Sequence, residues 1–302
     1  MADAIPLSEI PTLSLLYNLN RIAVSSDPAE TQVYPPKADY NDKISVIRQD
    51  ITVLAVDSIV NAANNSLLGG GGVDGAIHRA AGPELFDECK LLDGCETGSA
   101  KITNGYQLPA KKVIHAVGPV YWKTKAENKH TELLSGCYQK SLELAVENKL
   151  TSIAFSALST GVYGYPSDEA SACALDTVRK FLDEGKGDAL ERIIFCNFMQ
   201  KDENAYFKNI PKYFPPAPAE PKKTGEPKAT EEADHTKTET TDETELAAKL
   251  PDPPTTEPKD PEEPSAKKQK IEDNDFVVVD SEDAKEAKEA EVKDEAAPKA
   301  DL

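Results

Sequence analysis

This 302-residue sequence has little of the material from which membrane or secreted proteins are built. It contains no stretch approaching the roughly 20 consecutive apolar residues that a membrane-spanning helix needs. Its first eleven residues contain acids and prolines, where a secretory signal would have an apolar core. We therefore expect no membrane contact and an intracellular protein, in the nucleus, the cytoplasm or both.

Cysteine is also sparse, and its spacing excludes the usual cysteine-based sites. The five cysteines are odd in number and none forms a CxxC pair, which argues against a disulfide framework. No cysteine–histidine spacing is typical of zinc. We expect buried thiols in a reducing compartment, and neither a metal nor a cofactor. The five are Cys89, Cys95, Cys137, Cys173 and Cys196.

Positive charge is scarce, with 34 Lys and Arg against 53 Asp and Glu and a net charge of −19. This balance argues against non-specific nucleic-acid binding, which depends on cations that neutralise phosphates. The acidity is concentrated in residues 215–302, which hold 26 acids, 13 lysines, 12 of the 22 prolines and one aromatic residue, Phe276. Such a segment buries too little apolar surface to offset the entropy of ordering it.

The composition therefore predicts three parts. Residues 1–42 form an N-terminal extension and linker, residues 43–214 a single folded domain, and residues 215–302 a disordered acidic, proline-rich tail. The folded part has enough residues for one sizeable core. We expect it to be a monomer.

Apolar patterning within residues 43–214 predicts strands that alternate with helices, which is typical of an α/β sandwich with a parallel or mixed sheet. The predicted strands are Lys43–Arg48, Ser58–Asn61, Lys101–Leu108, Lys112–Val117, Ser152–Ala157 and Arg192–Cys196. The predicted helices are Val73–Leu92 with a break at Pro83, Thr131–Asn148, Pro166–Glu184 with Ser167 as the cap, and Asp202–Ile210. Before them, Ile10–Leu19 is amphipathic, and residues 25–42 have the composition of a linker.

Four consecutive glycines, Gly69–Gly72, lie between a predicted strand and the helix start at Val73. Such a loop exposes backbone N–H groups, and the helix N-terminus adds more, so the segment is suited to binding phosphate. A flexible surface loop is the alternative. Gly70, Gly72 and Gly75 also satisfy GxGxxG, but seven residues, Ala62–Leu68, separate the strand from the glycine run, which disfavours a dinucleotide-binding dehydrogenase.

A second glycine-containing turn follows the strand that ends at Ala157. Ser159, Thr160 and Gly161 suit another strand-to-helix phosphate loop, and two such loops at strand ends would hold a diphosphate from both sides. Tyr163, between glycines, suits a pocket wall better than the core.

Several polar residues near these loops have both a structural and a chemical interpretation. Asp50 after the first strand suits either an exocyclic amine or an N-cap. The asparagines of residues 61–65 suit either ligand contacts or Asx turns. Asp74 at a helix start is ordinarily a cap or dipole partner, and His78 a packed or capping histidine.

Three motifs resemble the macrodomain family: Val56–Asn64, Gly69–Gly82 and Ser159–Pro166. The GGGVDG form is similar to its MacroD-type branch, and the resemblance covers about residues 43–214. It implies a three-layer α/β/α fold with a mixed sheet that binds ADP-ribose. Members of this branch remove ADP-ribose esterified to Asp or Glu and deacetylate O-acetyl-ADP-ribose.

The resemblance also implies roles for individual residues. Asn64, Asp74 and His78 would be the catalytic group: Asn64 holds the distal ribose, Asp74 is the carboxylate and His78 is auxiliary. Asp50, with the Ile51 backbone, would bind adenine beside Phe198. Gln49 departs from the glycine usual before that aspartate. The two phosphate loops comprise Gly70, Gly71, Gly72 and Val73, and Ser159, Thr160, Gly161, Val162 and Tyr163.

Three activities are compatible with this resemblance. The first is hydrolysis by a trapped water, with either Asp74 or the substrate phosphate as the base. The second is a reader that binds ADP-ribose without turnover, and the presence of both Asn64 and Asp74 favours the first. A phosphatase acting on ADP-ribose 1″-phosphate is the third.

The acidic tail contains one apolar run, Phe276–Val279, followed by acids up to Asp283. Phe276–Asp283 resembles a SUMO-interacting motif, which adds a strand to a partner's sheet edge, and phosphorylation of Ser281 would strengthen the contact. The alternatives are a chance valine cluster and a strand that folds back. Val292–Glu295 resembles an attachment site for the same modifier. Ala266–Lys270 suits a nuclear import signal or ordinary charge balance.

Overall fold

A computed structural model of the protein describes residues 4–24 and 33–216. Six strands form its central sheet, in the spatial order β2 (Ile44–Arg48), β8 (Arg192–Asn197), β7 (Ser152–Phe155), β4 (Ser58–Ala62), β6 (Lys112–Ala116) and β5 (Ala100–Asn104), and β1 (Ile5–Pro6) and β3 (Leu54–Ala55) lie outside it. All neighbouring pairs are parallel except β5 and β6, which are antiparallel. The predicted mixed sheet within an α/β/α fold is confirmed. A separate two-stranded parallel pair joins β1 to β3.

The described helices and strands include every one that the sequence predicts and four that it does not, namely β1, β3, α2 and α5 in the numbering below. The strands are β1 (Ile5–Pro6), β2 (Ile44–Arg48), β3 (Leu54–Ala55), β4 (Ser58–Ala62), β5 (Ala100–Asn104), β6 (Lys112–Ala116), β7 (Ser152–Phe155) and β8 (Arg192–Asn197). The helices are α1 (Leu13–Asn18), α2 (Ala38–Lys43), α3 (Gly72–Ala81), α4 (Pro83–Leu91), α5 (Tyr121–Ala126), α6 (His130–Glu147), α7 (Ser167–Asp183) and α8 (Gln200–Tyr213).

Helices cover both faces of the sheet, so its inner strands are mostly apolar, with Asn61 in β4 and His115 in β6 among the exceptions. Because successive strand residues point to opposite faces, each strand contributes to two cores. Val60 and Phe155 pack beneath α6, α7 and α8, on what we call the α6 face. Ile59 and Ala154 pack beneath α3 and α4, on the α3 face. Two separate hydrophobic clusters result, one on each side of the sheet.

Four local predictions are wrong. The strand beginning near Lys101 ends at Asn104, because the chain turns through a tight loop in which the Gly105 N–H donates to the Lys111 carbonyl at 2.8 Å. The side chain of Ser167 does not cap α7; its hydroxyl donates to Asp202 at 2.6 Å. A helix, α2, occupies part of the segment predicted as linker. The last helix continues to Tyr213, with Pro211 in its final turn.

The break predicted at Pro83 is confirmed, because Gly82 at φ +85° separates α3 from α4 and Pro83 begins the second helix. All five cysteines lie in the described residues and are free thiols. Cys95 is only partly buried, which the prediction of buried thiols missed, because it follows α4 in a surface turn. Among the described residues, no helix has the length and apolarity to cross a membrane. The predicted tail motifs, Phe276–Asp283 included, lie outside the described residues.

Candidate active site

Two loops leave the sheet side by side. The glycine loop follows β4 and leads into α3, and the second loop follows β7 and leads into α7. Since β4 and β7 are parallel neighbours, the carboxyl ends of both strands lie at one edge of the sheet. That edge is where ligands bind in open α/β sheets. The fold therefore brings the two predicted phosphate loops together.

The glycine loop is shaped by Asn64. Its side-chain oxygen accepts from the Ser66 N–H at 3.0 Å, and its amide donates to the Gly69 carbonyl at 2.9 Å. The Asx-turn interpretation of this asparagine is therefore correct for the protein alone. A Cβ on Gly70 would lie 3.1 Å from Asp74 Oδ2 and 3.3 Å from Asn64 Nδ2. Glycine at this position keeps the approach to both polar groups open.

Asp74 lies in the first turn of α3 and is 3% exposed. It does not cap the helix, since Gly71 is the N-cap residue and no side chain caps α3. Its Oδ1 accepts from Asn61 Nδ2 at 2.7 Å, whereas Oδ2 has no hydrogen-bond partner among the described residues. Burial raises the pKa of this carboxyl, although the Asn61 hydrogen bond and nearby His78 oppose the shift. A buried carboxylate with one free oxygen is suited to proton transfer.

His78 follows one turn later on the same face of α3. Its Nε2 lies 3.5 Å from Asp74 Oδ1, but the pair is not aligned as a hydrogen bond. The ring lies against Gly69, where an added Cβ would be 3.4 Å from its Cγ. The predicted trio of Asn64, Asp74 and His78 is thus brought together around the glycine loop.

A buried polar cluster behind Asp74 was missing from the predicted site. Asn61 on β4 and His115 on β6 are both fully buried, and Asn61 Nδ2 lies 3.1 Å from His115 Nδ1. On the far side of the ring, His115 Nε2 lies 2.9 Å from Thr103 Oγ1 and 3.6 Å from Cys89 Sγ. Two polar residues within otherwise apolar strands were the available sequence signal.

His78, Cys89 and His115 have donor atoms within 4.8 Å of one another, close enough to raise the question of a metal. Burial, reinforced by His78, lowers the pKa of His115 to about 3, and burial raises the pKa of Cys89 to about 12. The His115 nitrogens already face Asn61 and Thr103 within hydrogen-bond distance. These are the contacts of a neutral hydrogen-bonded cluster, and we assign no metal to it.

The second loop presents backbone and a phenol to the same edge. Ser159 adopts φ +65°, and its buried hydroxyl has no hydrogen-bond partner among the described residues. The Thr160 carbonyl accepts from Lys201 at 2.9 Å, Gly161 faces open space and Val162 is 99% exposed. Burial and the charge of nearby Asp74 raise the pKa of Tyr163. Tyr163 thus lies within electrostatic reach of Asp74.

At the predicted adenine end, Asp50 does act as an N-cap. Its Oδ1 accepts from the Thr52 N–H at 2.9 Å and from the Thr52 hydroxyl at 2.7 Å. Ile51 is 3% exposed and packs in the cluster on the α3 face. Gln49 avoids the left-handed region, and its side chain accepts from the Asp50 N–H at 2.9 Å. Phe198, partly buried, directly follows β8, the neighbour of β2.

An open cavity of about 410 Å³ lies beside this arrangement. It shares Gly70 and His78 with the site and is otherwise lined by the outer parts of α3 and α4, including Arg79 and Phe86. It is therefore continuous with the His78 end of the site.

Comparison with known proteins identifies this arrangement. A family model described as Macro domain matches residues 60–174, which include both loops. A Macro domain-containing protein of Chlorobaculum tepidum is 55% identical over 170 residues, which cover 56% of this chain and 96% of that protein. The chain belongs to the macrodomain family.

Three further proteins resemble this macrodomain. Rat ADP-ribose glycohydrolase MACROD1 is 54% identical over 188 residues, which cover 62% of this chain and 72% of the rat protein. The chain spans only 57% of the bovine protein of the same name. A solved Trypanosoma brucei macrodomain in complex with ADP-ribose superposes with a TM-score of 0.56 at 40% identity, covering 69% of this chain and 77% of that one.

Proposed function

We propose that this macrodomain binds ADP-ribose and hydrolyses the ester that joins it to Asp or Glu side chains of modified proteins. The observation that carries the proposal is the buried Asp74, whose free Oδ2 faces Gly70 at the cleft edge. Relatives named ADP-ribose glycohydrolase and a macrodomain solved with ADP-ribose support the same substrate class.

The geometry suggests how the ligand lies. Its diphosphate would run between the glycine loop and the second loop, where backbone N–H groups and the N-terminus of α3 favour negative charge. Asp50 and Phe198 would hold adenine at one end, and Asn64 the distal ribose at the other. The Asn64 amide must then bind ribose in exchange for, or in addition to, its loop contacts.

The chemical step would use a single water. With Asp74 or the substrate phosphate as the base, the water gives up a proton as its oxygen bonds to the acyl carbon of the ester. The acyl–oxygen bond to the ribose then breaks, and the leaving ribose oxygen takes up that proton. The products are ADP-ribose and a free side-chain carboxylate. Loop N–H groups would stabilise the charge that develops. The modified side chain of the acceptor protein would enter from the open cavity beside His78.

The same ester chemistry extends the proposal to deacetylation of O-acetyl-ADP-ribose. A reader that binds without turnover remains the main rival, and a phosphatase acting on ADP-ribose 1″-phosphate the weaker one. The presence of both Asn64 and the buried Asp74, whose Oδ2 has no partner among the described residues, supports the hydrolase over the reader.

The deciding experiment incubates the purified full chain with proteins labelled on Asp/Glu or on Ser, side by side, and follows release of ADP-ribose. We expect release from the ester-linked substrate only. Intact ADP-ribose binding without release from either substrate would make the protein a reader. Release that is equal from both substrates would contradict the ester mechanism.

A further inference from the structure

We propose that His115 is a positioning residue for Asp74. As a neutral imidazole with its proton on Nε2, it fixes the Asn61 amide so that Asn61 donates to Asp74 Oδ1 and leaves Oδ2 free for the reaction. This inference rests on the proposed function. Thr103, on β5, contacts the other ring nitrogen of His115. We call Asn61, His115 and Thr103 the relay.

The argument begins with the two hydrogens of the Asn61 amide. Asn61 Nδ2 lies 2.7 Å from Asp74 Oδ1 and 3.1 Å from His115 Nδ1, so both neighbours act as acceptors. A proton on His115 Nδ1 would face an amide hydrogen. Rotation of the amide would relieve that clash only by turning its oxygen towards the Asp74 carboxylate. The observed contacts are therefore compatible only with the His115 tautomer that carries its proton on Nε2 and leaves Nδ1 as an acceptor.

The opposite edge of the ring specifies the same tautomer. Thr103 Oγ1 lies 2.9 Å from His115 Nε2 and donates to the Val113 carbonyl at 3.4 Å, which leaves a lone pair to accept from Nε2–H. Cys89 Sγ, 3.6 Å from Nε2, is the other neighbour. The hydrogen bonds then run in one direction, from His115 through Thr103 to the backbone of β6.

Burial keeps the ring neutral. His115 is fully buried, and the titratable groups that face it are His78, Cys89 and, through Asn61, Asp74. The pKa of His115 is lowered to about 3 by burial and by His78, so it does not accept a second proton near neutral pH. Its acceptor nitrogen is therefore constantly available to Asn61.

The consequence concerns the orientation of Asp74. The Asn61 hydrogen bond lowers the pKa of this carboxyl against the effect of burial, and it holds Oδ1 inward. Without an acceptor at His115 Nδ1, the amide is no longer fixed. Asp74 then loses a directed, charge-assisted hydrogen bond, and its pKa should rise further.

Two His115 variants test this relay. His115→Phe keeps an aromatic ring, larger than imidazole, and removes the acceptor, whereas His115→Asn places an oxygen near the Nδ1 position. We expect His115→Phe to lower kcat by about 10- to 100-fold, the worth of a hydrogen bond to a charged group, with KM and ADP-ribose affinity changed less than about threefold. His115→Asn should recover part of kcat. Ser141→Ala, which removes a buried hydroxyl on the α6 face, is the matched control.

Two NMR readouts do not depend on turnover, so they separate this inference from the proposed function. In the wild type, ¹⁵N shifts of His115 should place the proton on Nε2 and leave Nδ1 bare. In His115→Phe, the pKa of the Asp74 carboxyl should rise. A proton on Nδ1 would overturn the proposal whether or not the variant folds. So would wild-type kcat in folded His115→Phe, or a rescue by His115→Asn that is no better than Phe.

Discussion

The buried polar groups of the two sheet faces have different surroundings: those of the α3 face gather around Asp74, whereas those of the α6 face, among them His130 Nδ1, unpartnered within the described part of the chain, lie beside an apolar cluster. On the α6 face, Phe155 packs against Tyr138 and Phe195 in a continuous apolar cluster. The buried guanidinium of Arg179, in α7 on that side, donates to Asp183, Tyr213 and Pro35. On the α3 face, Asn61, Asp74 and His78 each leave a buried polar atom without a hydrogen-bond partner among the described residues.

We infer from this difference that the α3 face serves mainly function and the α6 face mainly stability. Unpartnered buried polar atoms are costly, and a fold keeps them where a ligand or water satisfies them during function. The apolar packing of the α6 face supplies stability that offsets that cost. Substitutions at Asp74 on the α3 face should therefore lower turnover, whereas substitutions in the apolar cluster of the α6 face should lower the free energy of unfolding.

The largest effect is expected at Asp74. Asp74→Asn preserves the shape and the buried position but removes the charge, so turnover should fall by about 10²- to 10⁴-fold, the usual contribution of a general base. ADP-ribose should still bind, as isothermal titration calorimetry can measure. Unchanged turnover would assign the base to the substrate phosphate and contradict the role of Asp74.

Phe155→Ala on the α6 face should destabilise the domain by about 3–5 kcal/mol, because it leaves a cavity among packed rings. Denaturant unfolding measures this loss. Turnover per folded molecule should stay near the wild-type value. A selective loss of kcat with full stability would break the proposed division between the faces.

Asp50→Ala should weaken ADP-ribose binding by about 10- to 100-fold through loss of a charge-assisted bond to adenine. Saturating substrate should restore turnover. Because Asp50 also caps the turn that begins at Ile51, Thr52→Ala is the control: it removes one of the capping contacts and leaves the carboxylate. Equal weakening in both variants would make Asp50 structural.

His115 should make the fold sensitive to acid. Its folded pKa of about 3 lies below the ordinary value of 6.5, so the unfolded chain takes up a proton that the folded chain refuses. The resulting stability is complete above the unfolded pKa and declines as pH falls from 6.5 towards 3. Between pH 7 and pH 5 the loss should be on the order of 2 kcal/mol.

The control for this pH effect is His115→Phe, which should flatten the dependence of unfolding free energy over the same interval. Asp74 has the opposite sign, because a raised carboxyl pKa makes the fold less stable as pH rises above the ordinary value of 3.8. An acid loss of equal size in the wild type and the variant would assign it to other groups.

The smallest effect is expected from the acidic tail. A chain ending at Pro216 should keep wild-type turnover and ADP-ribose affinity, because every residue of the candidate site lies between Asp50 and Phe198. A drop of more than about threefold in either quantity would show that the tail contributes to the site.

The proposed SUMO contact of the tail is tested apart from catalysis. A peptide of residues 270–288 should shift signals of labelled SUMO by adding the Phe276–Val279 strand to a sheet edge. Changing Val277, Val278 and Val279 to alanine should abolish the shifts. Persistent shifts in that variant, or none with the unchanged peptide, would end this proposal.

Much of the fold was predictable because its causes are local. Apolar patterning located the six strands of the central sheet, helical spacing located α3, α4, α6, α7 and α8, and Pro83 marked the break between α3 and α4. The errors fall where a tertiary contact prevailed: Ser167 bonds Asp202, and the β5–β6 turn shortens the strand. The helix α2 was missed because its six residues carry little periodic signal.

The sequence by itself determined the two loops and the chemical identity of Asp74, because glycine content and residue type are local properties. Only the tertiary structure decided that Asn61, His115 and Thr103, from three different strands, meet behind that carboxylate. Strand order and register set this meeting, and they arise from long-range pairing that no single segment encodes. The same strand pairing places Asn61 where it donates to Asp74 Oδ1 and leaves Oδ2 without a partner among the residues that the structure describes, since a hydrogen bond requires both groups in place.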